Sequence, residues 1–224
     1  MKNLFLSIAC CIFLALSSCN ATFTTTGNCK DYTASGVTKT ESRDVSSFKN
    51  VFLRAGADVT IHQGDTYSIS VTADENMLPY ISTTTDNGGT LHIDNEKCNC
   101  PGIVEVELTI PDLETTHISG SGNIVFPEDF NFNTFAVHIS GSGVLNVKGT
   151  AQNMDVHVSG ACDLKAAELK AQNVGIHVSG SCKADVYADN KLDVTISGAG
   201  TVRYSGNVQD IRQNISGSGN ISRK

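Results

Sequence analysis

One phrase recurs six times in the second half of the chain and leaves few folds open. The copies are Ile118-Ser119-Gly120-Ser121-Gly122, Ile139-Ser140-Gly141-Ser142-Gly143, Val158-Ser159-Gly160-Ala161-Cys162, Val178-Ser179-Gly180-Ser181-Cys182, Ile196-Ser197-Gly198-Ala199-Gly200 and Ile215-Ser216-Gly217-Ser218-Gly219. Their first serines fall 21, 19, 20, 18 and 19 residues apart. A near-fixed period marks an architecture in which one supersecondary unit is copied along an axis.

The parity around each copy says what the unit is. Ile or Val always precedes the first serine. Two positions earlier stand Thr116, Val137, Val156, Ile176, Val194 or Gln213. Five positions after the first serine come Ile124, Leu145, Leu164, Ala184, Val202 or Ile221, and seven after it Phe126, Val147, Ala166, Val186 or Tyr204. The residues between are polar, among them His138, Asn146, Lys165, Asp185 and Arg203. Alternation with period two is the pattern of a strand with one buried face. The Ser-Gly-Ser-Gly unit then reads as the corner between two strands, with glycine there because it tolerates positive φ.

Two strands and a loop in about 20 residues are too short for a propeller blade or a helix-containing repeat. They fit one coil of a parallel β-helix, with equivalent strands stacked about 4.8 Å apart. The predicted fold is therefore an all-β, parallel β-helix-like solenoid. Its odd-parity residues form internal ladders, and each coil buries its apolar face only against its neighbours. A sandwich of hairpins is the runner-up, but it would not need the same phrase at the same place in every repeat.

The first half is a weaker version of the pattern. Residues 48–54, 58–63, 67–73, 90–94 and 103–110 read as strands. Ala55-Gly56-Ala57-Asp58 reads as an early corner. It lies 64 residues before Ser119, close to three coils. The expectation is one domain over 39–224, with irregular coils over 39–115 and regular repeats over 116–224.

The start of the chain reads as an address. Lys2 precedes the apolar run Leu4 to Leu16, which is too short to span a bilayer. Leu16-Ser17-Ser18-Cys19 then resembles a bacterial lipobox. Residues 1–18 are thus expected to be a lipoprotein signal peptide, removed in the mature protein. Cys19 would carry the lipid and be the membrane attachment, and 19–38 would be a tether rich in Thr, Ser, Gly and Asn. The formal charge is −7, with no basic cluster, which argues against nucleic acid as a partner.

Eight cysteines are present, of which Cys10 and Cys11 fall in the signal segment. Cys162 and Cys182 replace the last glycine of neighbouring corners, and their parity points inward. A disulfide and a pair of buried thiols are both open readings. Cys98-Asn99-Cys100 lies in a loop, where a bridge, for instance to Cys29, is the structural reading.

The features quoted resemble one family. They are the repeated Ile-Ser-Gly-Ser-Gly, the Gly-Asn-Ile steps at Gly122-Asn123-Ile124 and Gly219-Asn220-Ile221, the lipobox and the opening Val59-Thr60-Ile61-His62-Gln63-Gly64-Asp65. The chain is similar to the putative auto-transporter adhesin, head GIN domain family, mostly exported or lipid-anchored proteins of Bacteroides-type bacteria. The resemblance implies an adhesin-like protein of the cell envelope, and it brings no catalytic residues. In such bacteria, surface export is associated with acidic residues just after the lipidated cysteine. Asn20 to Thr24 has none. An outer-membrane lipoprotein on the periplasmic face is the expectation, rather than one on the cell surface.

One column of side chains stands out as a candidate site. His117, His138, His157 and His177 hold the same place in four successive repeats, with Thr195 and Asn214 continuing the series. Stacked on an outer face, they are either a metal-binding or pH-sensitive stripe or simply tolerated polar residues. No catalytic residues, metal site or cofactor are read. The corner serines lack a consistent His-Asp partner, and Asp155, Asp163, Asp185 and Asp193 are scattered. The functional expectation is a non-enzymatic module that contacts a protein or a glycan. A self-assembling envelope scaffold, pairing through an open C-terminal coil, is the alternative. A β-helix carbohydrate-active enzyme is the less favoured one.

Overall fold

The computed structural model describes residues 33–95 and 104–224. The signal segment, the lipobox with Cys19, most of the tether, and Cys29, Cys98 and Cys100 lie outside these residues. In chain order the strands are β1 (Thr38–Arg43), β2 (Asn50–Leu53), β3 (Ala57–Gln63), β4 (Ser68–Asp74), β5 (Ile81–Thr85), β6 (Thr90–Asn95), β7 (Glu105–Ile110) and β8 (Thr115–Ile118). They continue as β9 (Ser121–Val125), β10 (Phe130–Ile139), β11 (Ser142–Val158), β12 (Ala161–Val178), β13 (Ser181–Ile196), β14 (Ala199–Ser205), β15 (Asp210–Ile215) and β16 (Ser218–Arg223). The described residues contain no helix long and apolar enough to cross a membrane.

The expected solenoid is present, with coils of about 20 residues. Before the corner, β8, β10, β11, β12, β13 and β15 stack in parallel, and after it β9, β11, β12, β13, β14 and β16 do. The register keeps equivalent residues opposite one another. Val137 faces Val156, and Leu145 faces Leu164. The inward ladders follow from the alternation. Ile118, Ile139, Val158, Val178 and Ile196 are each at most 2% exposed. Burying each such side chain is worth about 1.5–3 kcal/mol. Phe126, Phe130, Phe132 and Phe135 pack together in the core around β10, with neighbouring ring centroids 4.3–5.7 Å apart.

Glycine holds the second corner position for a reason other than the one expected. No glycine there has positive φ; the positive values belong to Gly36, Gly89, Gly149 and Gly206. Instead, the stacked corners approach too closely for a side chain. A Cβ on Gly141 would run into the carbonyl oxygen of Gly120, and one on Gly160 into that of Gly141. The close approach comes from a shared acceptor. Ser140 N–H and Gly141 N–H both donate to the Ile118 carbonyl, at 2.9 and 3.3 Å, and Ser159 and Gly160 do the same to Ile139. The last corner position is tight at Gly122, where a Cβ would meet the Ala57 carbonyl oxygen, and roomier further along the stack. A Cβ on Gly200 would lie 3.4 Å from Ile196 methyl groups, which is ordinary contact. Cys162 and Cys182 occupy that position in their coils.

The first half departs from simple succession. The early corner does not lie three coils from Ser119 but directly against it. Ser119 N–H and Gly120 N–H donate to the Leu53 carbonyl at 3.0 and 3.4 Å. Leu53 faces Ile118 and Ala57 faces Gly122, so Arg54, not Ala55, is the counterpart of Ser119. The coil β2–β3 is flanked on its other side by β6 and β7, also parallel. The chain therefore builds one coil, passes outward to build a second, and returns across the first to start the regular stack.

Antiparallel strands close the outer side of that second coil. β4 pairs with β7, β1 with β4, and β5 with β6. The strand expected at 67–73 is thus present but antiparallel, and β1 and β5 are strands in addition to those the alternation marks. The end of the expected tether is itself held, since Gly36 N–H donates to Asp74 Oδ1 at 2.7 Å and Ser35 N–H to Asn76 at 3.2 Å. Covering an outer coil in this way satisfies edge groups that would otherwise pair with other chains.

Candidate functional site: two grooves beside the corner ridge

The stacked Ser-Gly corners form a ridge along the solenoid, and a groove runs on each side of it. The larger, about 890 Å³, lies on the side of β9, β11, β12, β13 and β14. Small corner residues line it, and Cys162 and Cys182 are at its floor, 8% and 5% exposed. The two cysteines face each other in register and stand as free thiols joined by a hydrogen bond. That bond, and then burial, push the Cys162 thiol well up. Its outer wall is polar and mixed in sign: Asn123 donates to Asp58 Oδ1 at 2.6 Å, and Asp163 faces Lys183.

The smaller groove, about 370 Å³, carries the histidines. His117, His138, His157 and His177 lie in register on successive strands, and Thr195 and Asn214 continue the row. From His117 to His177 the ring centroids are 5.8, 5.1 and 4.9 Å apart. The last two pairs are stacked, at 10° and 12° between planes. His117 and His138 are half-buried, while His157 and His177 are exposed. Ser140, Ser159, Ser179 and Ser197 line the same groove.

The out-of-order coil extends this row in a way that the repeats alone do not reveal. Phe52 faces His117 on one side and His92 on the other. Its ring stacks on His117 at 4.3 Å and 4°, with the Arg54 guanidinium 4.2 Å over it. Phe52 stands two residues before Arg54, as His117 stands two before Ser119. That shared offset is a signal, but it shows only once the early corner is aligned one residue earlier than its glycine suggests.

His117 and His157 sit in an environment that disfavours their charged form. Burial first, and then the charge of His138 and Arg54, hold His117 below the ordinary histidine range. Burial and the neighbouring His177 and His138 do the same to His157, with Asp155 acting weakly against them. Among the described residues, the histidines in ion pairs are His62 with Glu128 and His92 with Asp86, not these four. No three metal-ligating side chains converge among the described residues.

Asp155, Asp163, Asp185 and Asp193 do not gather either, whereas Asp112 and Glu114 meet on Lys49, at 3.1 and 2.8 Å. Asp163 lies 3.8 Å from Lys165, and Asp193 lies 3.6 Å from Lys191. Asp185 accepts two bonds from Arg203, at 2.6 and 2.7 Å, and Arg203 holds its carboxyl below the usual range. Asp155 and Asp193 share a column but stand two coils apart, with Gly175 between them. An acid pair for glycoside cleavage needs two carboxyl groups flanking one bond.

Comparison with known proteins agrees with this architecture. Among curated proteins none matches the chain. Solved structures do. A putative adhesin from Bacteroides fragilis superposes with a TM-score of 0.70 at 17% identity, covering 85% of this chain and 99% of that one. A putative adhesin from Parabacteroides distasonis gives 0.55 at 19% identity, covering 85% and 98%. A putative lipid binding protein from the same species gives 0.52 at 22% identity, with the same coverage. At these identities the likeness is one of fold. The profile of the family described as "Putative auto-transporter adhesin, head GIN domain" matches residues 47–208, which is most of the chain. The chain belongs to the putative auto-transporter adhesin, head GIN domain family.

Proposed function

We propose that the protein is a non-enzymatic, adhesin-like module of the cell envelope that binds an extended ligand along its corner ridge. One observation carries this reading. The two grooves run parallel to the stack and repeat similar groups at every coil, which suits a polymer better than a compact small molecule. The scatter of Asp155, Asp163, Asp185 and Asp193 along the stack, three of them beside a Lys or Arg, supports a binding role over hydrolysis. The lipobox supports anchorage in the outer membrane through Cys19. The lack of acidic residues from Asn20 to Thr24 supports the periplasmic face, and so a glycan or protein of the envelope as partner.

The test has two arms. Protease shaving of intact and lysed cells reads the side of the membrane; survival on intact cells and loss after lysis is the expected result. Loss on intact cells would overturn the periplasmic placement and direct the search to external ligands. A panel of neutral and charged glycans and envelope proteins, with bulky residues placed at Ser142 and Ser181 on the ridge, reads the binding site. Binding that ignores these substitutions would overturn the ridge as the contact surface.

Self-assembly has one observation in its favour. Ile211 and Ile215 on β15 are 38% and 40% exposed. A solution mass that rises with concentration, and that falls back on Ile211→Lys, would support the scaffold reading; a constant monomer mass would remove it.

A further inference from the structure

The histidine groove makes the proposed binding role more specific. We propose that it is a binding site for an acidic polysaccharide, a polymer bearing carboxylate or sulfate groups, occupied when the imidazole column takes up protons. This rests on the reading of the protein as a ligand-binding module and names the ligand class for one of its two grooves.

Four observations lead there. The first is ring orientation. His138, His157 and His177 are stacked nearly parallel, so their faces meet one another along the axis. What remains for a ligand is ring edges, which carry the N–H donors. Single-stranded nucleic acid relies on free aromatic faces for its bases and on Lys and Arg for its phosphates. Neither is offered in this groove. Edge donors suit carboxylate or sulfate oxygens, since hydrogen bonds between charged partners are the stronger kind.

The second is charge. None of the four histidines has a carboxylate in an ion pair among the described residues, unlike His62 and His92. The charged groups around the column are few. Asp155, Asp193 and Arg212 lie on the adjoining outward column, and Lys191 lies 3.6 Å from Asp193. Arg54 lies over Phe52 at one end, and Asp94 lies 3.0 Å from Arg54. His92, beyond Phe52, is bonded to Asp86 at 2.9 Å. Protonation would therefore produce a row of positive charge beside which Asp193 and Asp94 have cations of their own, and Asp155, beside His157, is the carboxylate that competes with a ligand.

The third is spacing. Centroids 4.9–5.8 Å apart put each imidazolium next to another, and the repulsion falls on every inner ring. A counter-charge laid along the row relieves it. By linkage, the polymer and the protons favour each other's binding. The fourth is the second row of hydroxyl groups. Ser179 and Ser197 donate to the Val158 and Val178 carbonyls at 3.4 Å, which leaves their oxygens free to accept from sugar hydroxyls. With a formal charge of −7 at pH 7, the whole protein repels a polyanion when the imidazoles are neutral, which confines binding to acid.

The test titrates the full chain with polygalacturonate and dextran sulfate, with neutral dextran and poly(dT) as controls, at about pH 5 and about pH 7.5. The variant is H138Q/H157Q/H177Q, with its fold checked by circular dichroism. The expected result is binding at least about tenfold tighter in acid, proton uptake on binding, and loss of both in the variant. Dextran sulfate alone binding would assign sulfate, and both acidic polymers binding would assign anionic charge in general; each supports the site. Equal affinity at the two pH values, an unaffected variant, or poly(dT) binding as tightly would overturn it. If only neutral glycans or proteins bind, this inference fails while the general binding role stands. If nothing binds under any condition, both fail.

Discussion

Among the described residues of the stacked parallel ladders, Thr116 is the fully buried position that carries a hydroxyl, and replacing it with Val should stabilise the protein. Its side chain is 0% exposed, and its Oγ1 has no hydrogen-bond partner. It stands in register between Val51 and Val137, and Val156, Ile176 and Val194 hold the same place further along. The shape of the site is therefore that of a valine. Burying a hydroxyl without a partner costs about 1–3 kcal/mol. Thr116→Val removes that penalty and adds apolar burial without adding volume, so a gain of about 1–2 kcal/mol is expected. In a domain of this size, 1 kcal/mol moves Tm by about 2–4 °C, so the shift should be about +2 to +8 °C. Calorimetry and urea titration read it, the latter as a higher midpoint at constant m. Thr116→Ser keeps the hydroxyl, removes the methyl and should lower Tm. An unchanged or lowered Tm for Thr116→Val would refute the reasoning, because it would mean that the hydroxyl is satisfied in solution.

Other positions give sharp expectations. Gly160→Ala should destabilise by about 3 kcal/mol or more, because its Cβ meets the neighbouring backbone, whereas Gly200→Ala should be nearly neutral; thermal melts of the pair check this. His117 and His157 are held below their unfolded values, so the unfolded chain binds more protons, and stability should fall as pH drops below about 6.5. H157Q should flatten that part of a Tm-against-pH curve. Asp185 is held low chiefly by Arg203, so its contribution should be present above about pH 4 and disappear below it, in a separate window that Arg203→Gln would shrink, with Lys224 still 3.7 Å from the carboxylate. Treatment with diamide should take two electrons and two protons from Cys162 and Cys182 and join them. The link should show as loss of both thiols in denaturant and a stabilisation of about 3 kcal/mol; thiols that persist would show that the pair cannot close.

The sequence by itself determined the coil, its period and its faces. Alternation decides which side of a strand is apolar, and the recurrence of one phrase decides which residues share a column. From that alone, His117, His138, His157 and His177 fall into one row, and Cys162 falls opposite Cys182. Tertiary structure decided who lies beside whom where the repeat breaks down. Nothing local to Phe52 says that its strand lies between β6 and β8, because strand pairing is a contact between distant segments and alternation specifies a face without a neighbour. The same limit hid the antiparallel cover of β1, β4 and β5. The corner glycines show the reverse case. Their place was plain in the sequence, but the reason for them, a carbonyl of the next coil where a Cβ would stand, exists only once the coils are stacked.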